Sequence, residues 1–189
     1  MTKARLVVVG ASAGGVQALS DVLPELPADF PIPLVVVIHV PPRRDNALVE
    51  LFARKCRLRV KEAEDKEPLR PGTIYFAPPD YHLLVETEET LALSSDEAVN
   101  HSRPAIDVLF ETAADAFGAE LTGVIMTGAN SDGALGLKAI AEAGGVAIVQ
   151  NPATAEVAAM PSAALHACPG ARILTLEQIA TCLKKTAAP

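Results

Sequence analysis

The sequence predicts a doubly wound α/β domain: a mostly parallel sheet with helices on both faces, plus one antiparallel hairpin. Three observations carry this. Short, continuous apolar runs rich in β-branched residues occur at 6–9 and 34–38, with a further strand signal at 121–126, and such runs suit strands buried on both faces. Stretches with apolar residues at helical spacing lie between them. Strand and helix signals then alternate along the whole chain, which is the pattern of a parallel sheet wound on both sides. With 189 residues, the chain reads as one domain over 1–189, and a domain of that size buries roughly 70% of its unfolded surface without staples.

The elements follow in order. Residues 6–9 form the first strand, 10–15 a glycine-rich turn and 16–23 a helix. Pro24, Pro27, Pro31 and Pro33 mark a rigid connection to a second strand at 34–39, which ends at Pro41-Pro42. Residues 46–54 read as a helix with Leu48, Leu51 and Phe52 on one side, and 58–60 and 73–76 as strands. Residues 82–85 and 91–93 flank an acidic tip at 86–89 and read as a hairpin. Ile106, Leu109, Phe110, Ala113 and Phe117 fall at helical spacing, with Ser102 as an N-cap, Pro104 in the first turn and Gly118 as a C-cap. A strand at 121–126, a helix at 134–143 and a strand at 146–150 follow. After Asn151-Pro152 comes an Ala-rich helical stretch interrupted at Pro161, then an edge strand at 172–174. Thr175 with Gln178 forms a capping box for the last helix.

Composition narrows the function. Half of the residues are hydrophobic and the net charge is −7, so the chain is neither disordered nor marked by the basic stripe of a nucleic-acid binder. The densest basic run, Arg54, Lys55, Arg57, Arg59 and Lys61, reads as a solvated helix end leading into an edge strand. Cys56, Cys168 and Cys182 lack metal-ligand or redox-pair spacing and fit reduced, buried thiols. The apolar run near the N-terminus is too short for a signal peptide. No apolar stretch approaches the roughly 20 residues of a membrane span. These features lead to the expectation of a soluble, cytoplasmic protein.

The chemistry is sought at the carboxyl ends of the strands, where ligands bind in open α/β sheets. Gly10-Ala11-Ser12-Ala13-Gly14-Gly15 follows the first strand, His39 ends the second, and Thr127-Gly128-Ala129-Asn130-Ser131-Asp132-Gly133 follows the strand at 121–126. A hydroxyl, an imidazole and a carboxylate thus fall on one sheet edge, the three parts of a nucleophile, base and orienter set. Gly10-x-Ser12-x-Gly14 fits a nucleophile elbow, whose tight turn lifts the serine oxygen clear of the sheet. The helix that follows turns its free N–H groups and positive end toward a developing oxyanion. An imidazole titrates near neutral pH and can accept the serine proton, while Asp132 would fix its tautomer.

Each residue also has an ordinary reading. Ser12 alone is a cap or a phosphate binder, His39 a satisfied core histidine, and Asp132 the N-cap of the next helix. The coincidence of three complementary groups at three strand ends favours the catalytic reading. His82, His101 and His166 lack that placement, and His101 is the reserve because it precedes a helix start. A dinucleotide site would need G-x-G-x-x-G, but Ser12 holds the place of the second glycine and His39 that of the ribose-binding acid. A P-loop is excluded because no Gly-Lys-Ser/Thr follows the turn.

The blocks just quoted, with Val37-Ile38 before His39, resemble the catalytic blocks of bacterial chemotaxis protein-glutamate methylesterases of the CheB type. Ala77-Pro78-Pro79-Asp80-Tyr81-His82, Arg103-Pro104-Ala105-Ile106-Asp107, and Gln150-Asn151-Pro152-Ala153-Thr154 with Met160-Pro161 match as well, in the family's order. The resemblance implies a serine hydrolase that demethylates glutamate methyl esters of chemoreceptors, releases methanol and often deamidates glutamine. It implies Ser12 as nucleophile, His39 as base and Asp132 as acid, with no metal or organic cofactor. The oxyanion would rest on the backbone N–H groups of Ala13 and Ala129, and Arg103 and Thr127 are candidate substrate or positioning residues, with a helix-start surface charge and a loop hydroxyl as their ordinary readings. The sequence departs from the family pattern in two ways. Ala129 and Asn130 replace Met and Gly in the loop before the acid. The other concerns the receiver domain that family members commonly carry: the expectation here is a single catalytic domain, stand-alone or excised, with a separate receiver protein as its expected regulatory partner. Two alternatives stay open: a small-molecule esterase on the same triad, and a non-catalytic module that binds methylated or anionic segments.

Overall fold

The computed structural model describes residues 5–39 and 47–187. Strand β1 (Leu6–Ala11) leads through helix α1 (Gly15–Val22) to β2 (Leu34–Ile38) and α2 (Ala47–Lys55). Strands β3 (Arg59–Glu62), β4 (Thr73–Phe76), β5 (His82–Val85) and β6 (Leu91–Ser94) come next. The remaining elements are α3 (Ile106–Phe117), β7 (Leu121–Ile125), α4 (Ala134–Glu142), β8 (Val146–Gln150), α5 (Ala159–Ala167), β9 (Arg172–Leu174) and α6 (Leu176–Thr186).

Seven strands form one sheet in the order β3-β4-β2-β1-β7-β8-β9, and every neighbouring pair is parallel. The pair β5–β6 stands apart as the antiparallel hairpin. From β1 the chain first builds toward β3, then returns to build from β7 toward β9. The direction of growth therefore reverses between β1 and β7, which makes that edge the topological switch point, where such sheets bind ligands.

The sequence pattern explains the layering. All residues of β1, β2 and β7 are buried, as strands covered on both faces require. Successive side chains alternate between faces. Val7, Val9 and Ala11 join a core with Leu19 of α1, Phe52 of α2 and Ile179 of α6. Leu6 and Val8 join a second core with Phe110 of α3, Leu137 of α4 and Ala164 of α5. Each such large apolar side chain contributes about 1.5–3 kcal/mol when fully buried. Gly10 lets α3 approach β1, since a Cβ there would lie 2.5 Å from Ile106 Cγ2. That close approach brings the start of α3 to the switch point.

Several expectations shift. β1 continues to Ala11, so Gly10 and Ala11 are strand residues and the turn is tighter than 10–15. Ser102 does not cap α3: the cap position is Ala105, without a side-chain bond of its own, because a carboxylate from another loop serves those N–H groups instead. Pro161 does not interrupt a helix. It is the third residue of α5, in the first turn, where a backbone N–H has no intrahelical partner to lose. Of the three thiols only Cys168 is buried, while Cys56 and Cys182 are half-buried. Burial of the Cys56 thiol pushes its pKa up to about 11. The capping box at Thr175 and Gln178 is present in both directions. Arg54 and Lys55 end α2, and the edge strand β3 carries Arg59 and Lys61. Asn46 and Pro41-Pro42 lie outside the described residues. No helix among the described residues is long and apolar enough to cross a membrane.

Candidate active site

Three strand ends meet at the switch point. Ser12 is the residue after β1, His39 the residue after β2, and 127–133 the loop after β7. His39 N–H donates to Ala11 O at 3.0 Å, and Ser12 N–H donates to Thr127 O at 2.9 Å. Ser12 is thereby held between the His39 strand end and the Asp132 loop, one strand spacing of about 4.8 Å from each neighbour.

The imidazole and the carboxylate are bonded to each other. His39 Nε2 lies 2.8 Å from Asp132 Oδ2. The Asp132 side chain is fully buried, and the His39 side chain is 14% exposed. Three more donors reach the carboxylate: Ile106 N–H at 2.6 Å, Asp107 N–H at 3.1 Å and Asn100 Nδ2 at 2.9 Å. Ile106 and Asp107 are the first two residues of α3, so Asp132 caps α3 from another loop and sits at its positive end. Burial pushes the Asp132 carboxyl upward, but the bonds from His39, Ile106, Asn100 and Asp107 outweigh it and hold the pKa below the ordinary value. Asp132 is therefore an ionised, acceptor-only group, and the proton of neutral His39 belongs on Nε2. The lone pair falls on Nδ1.

That lone pair faces Asn130. The Asn130 Nδ2 amide lies 3.3 Å from His39 Nδ1, while Asn130 Oδ1 accepts from Asp132 N–H at 3.0 Å. The expected serine–imidazole hydrogen bond is absent among the described residues; Ser12 Oγ makes no bond to any of them. Catalytic contacts of this kind are often loose without substrate.

The backbone offers donors nearby. Gly14, at φ 77°, is the N-cap of α1 and no side chain caps the helix. The N–H groups of Ala13 and Ala129 bond to nothing among the described residues. Both residues are exposed, so the two N–H groups are free to receive an oxyanion.

The other expected site residues brace the loops. Thr127 is buried. Its hydroxyl donates to Ala13 O at 2.9 Å and accepts from Val157 N–H at 2.9 Å, which ties the Ser12 turn to the 157 segment. Arg103 Nη1 donates to Ser95 O at 3.0 Å and Asp96 O at 3.1 Å, pinning the segment after β6. His82 is a structural histidine, buried between Glu97 O and Ala105 N–H. No group of three or more His, Cys, Asp or Glu side chains suited to a metal ion occurs among the described residues.

Sequence reasoning missed Asn100 and Asp107. Asn100 Nδ2 bridges the two carboxylates, 2.8 Å from Asp107 Oδ2 and 2.9 Å from Asp132 Oδ1. Asp107 is buried and also accepts from Gly136 N–H at 2.7 Å. Burial, with the neighbouring Asp132 charge, raises its pKa. The only sequence signal was that Asp107 closes the Arg103–Asp107 block.

The model of the CheB methylesterase family matches residues 7–183. A Leptospira interrogans protein, named for protein-glutamate methylesterase and protein-glutamine glutaminase activities, is 51% identical over 174 residues, covering 92% of this chain and 90% of that protein. The protein-glutamate methylesterase/protein-glutamine glutaminase 1 of Carboxydothermus hydrogenoformans is 41% identical over 181 residues, covering 93% of this chain and 53% of its own length. The crystal structure of the Thermotoga maritima CheB methylesterase catalytic domain aligns with a TM-score of 0.92 at 33% identity, over 96% of this chain and 98% of that one. The matched span runs through all three strand ends and the α3 cap that together build the site, and the chain belongs to the CheB methylesterase family.

Proposed function

We propose that the chain is a serine hydrolase that cleaves glutamate γ-methyl esters on a protein substrate, with Ser12 as nucleophile, His39 as base and Asp132 as orienter. The observation that carries this reading is the 2.8 Å bond between His39 Nε2 and the buried Asp132 carboxylate, one strand away from Ser12. Ser12 Oγ attacks the ester carbonyl while Nδ1 of His39 takes its proton. The N–H groups of Ala13 and Ala129 receive the tetrahedral oxyanion. His39 returns the proton to the departing methanol, and a water then hydrolyses the acyl-enzyme to leave a glutamate side-chain carboxylate on the substrate protein. The same cycle on a glutamine side chain releases ammonia, which agrees with the double name of the relatives. Methylated chemoreceptors are the proposed substrates, and a separate receiver protein is a proposed regulator. Incubation with methyl-labelled receptor, or with a peptide carrying a glutamate γ-methyl ester, tests the reading. Methanol release that disappears in Ser12→Ala supports it; no release, or release that survives the substitution, refutes it.

A further inference from the structure

We infer that Asn130 is a positioning residue that caps the His39 base in the substrate-free enzyme and must yield the lone pair of Nδ1 before Ser12 can use it. The inference rests on the Ser12–His39–Asp132 reading above.

A neutral imidazole has one acceptor nitrogen. The ionised Asp132 carboxylate accepts a hydrogen bond from Nε2–H at 2.8 Å, so the acceptor nitrogen is Nδ1. Two donors claim it: the Ser12 hydroxyl, which catalysis requires there, and the Asn130 amide, which lies 3.3 Å away. The orientation of the amide is set independently. Asp132 N–H donates to Asn130 Oδ1 at 3.0 Å, which leaves Nδ2 to face the ring. Flipping the amide would set a donor against a donor at residue 132 and an oxygen against the lone pair of Nδ1. In agreement, Ser12 Oγ has no hydrogen bond among the described residues.

The cap is built to be displaced. At 3.3 Å the contact is long for such a bond, and Asn130 is exposed, so water can take over the amide. Proton transfer from Ser12 also ends the interaction outright, because protonated Nδ1 is a donor and no longer accepts. An exposed bond of this strength biases the free enzyme about two- to tenfold toward the capped arrangement.

Two substitutions separate capping from simple bracing of the loop. Asn130→Ser keeps a hydroxyl able to accept from the N–H two residues on but is too short to reach Nδ1. Asn130→Gly removes both contacts. The assay is methanol release from a peptide bearing a glutamate γ-methyl ester, with nitrogen-15 NMR of the His39 ring. Both variants are expected to raise kcat/KM by about two- to tenfold. In both, the Nδ1 resonance moves downfield as its donor is lost, while the proton stays on Nε2. Release that depends on Ser12, with kcat/KM unchanged or lowered in both variants, overturns the inference alone. An unmoved Nδ1 resonance does the same. Release that survives Ser12→Ala overturns the hydrolase reading, and the inference falls with it.

Discussion

Replacing Asp132 by Asn tests the site where it is most constrained. The carboxylate receives four donors within 3.1 Å, two on each oxygen. An Asn has one acceptor oxygen, so its amino group must meet two donors on whichever side it lies. Facing Asn100 and Asp107 N–H, it leaves two buried donors without partners. Facing His39 and Ile106 N–H, it also drives the ring to the other tautomer, with the proton on Nδ1 and no lone pair toward Ser12. A buried unsatisfied donor costs about 1–3 kcal/mol, and one or two are left according to the orientation, so the variant should lose about 1–6 kcal/mol of stability. Loss of the correct tautomer in a serine, histidine and aspartate set costs about 10⁴ in kcat. Urea unfolding measures the first quantity. Methanol release from a glutamate γ-methyl ester peptide, under conditions where circular dichroism shows the variant folded, measures the second. A folded variant within tenfold of the native kcat, with nitrogen-15 NMR placing the ring proton on Nδ1, would refute the orienting role of Asp132.

Other outcomes follow from the same contacts. Ser12→Ala should fold normally and lose about 10⁴–10⁶ in rate, read by methanol release; half of the native activity remaining would exclude a serine nucleophile. Ala129→Met should change the rate by less than about tenfold, whereas Ala129→Pro, which deletes the N–H, should cost about 10²–10³; equal rates would remove residue 129 from the oxyanion site. Asn100→Ala takes a donor from two buried carboxylates at once, and its urea midpoint should fall by the equivalent of about 2–4 kcal/mol. The depressed Asp132 pKa stabilises the fold above the unfolded carboxylate value of about 3.9, and that stability is lost as pH falls through the lower folded value. Native protein should therefore show a steeper loss of stability below about pH 4 than Asp132→Asn; superimposable acid profiles would contradict the assigned charge.

The fold and the site differ in how far the sequence reveals them. Strands such as Leu34–Ile38 are legible because burial on both faces demands an unbroken apolar run, and the shared sheet edge of Ser12, His39 and Asp132 is legible because each follows a strand; the strand order that makes this edge a switch point is not, because it depends on pairing between distant strands. The capping box at Thr175 is legible because both partners lie within one turn. The start of α3 is not. Ser102 carries a local capping signal, but the helix begins at Ile106 and is capped by Asp132, 26 residues further along the chain. A long-range cap leaves no local pattern. Asn100 is hidden for a related reason: its function depends on two carboxylates that come together only in the folded chain. Asn130 stood out as a departure in the loop, yet its partner could be named only once the tautomer of His39 was fixed by Asp132.

The two buried carboxylates beside α3 show why that tautomer is stable. Asp107 and Asp132 share one amide hydrogen-bond donor, Asn100, but their surroundings push them in opposite directions. Asp107 sits inside the first turn of α3 with an N–H from Gly136 at 2.7 Å, and burial dominates, so it gives up its proton reluctantly. Asp132 faces the open end of the same helix, where two N–H groups without intrahelical partners and the helix dipole favour negative charge, and His39 adds a third contact. The start of α3 thus sorts the pair, placing the firm charge on the residue that touches the imidazole. Gly10 makes this possible, because any side chain there would push Ile106, and with it the helix end, away from the sheet. Gly10 after one strand and Asp132 after another therefore serve one purpose, the docking of a helix N-terminus against the carboxylate that holds the His39 ring.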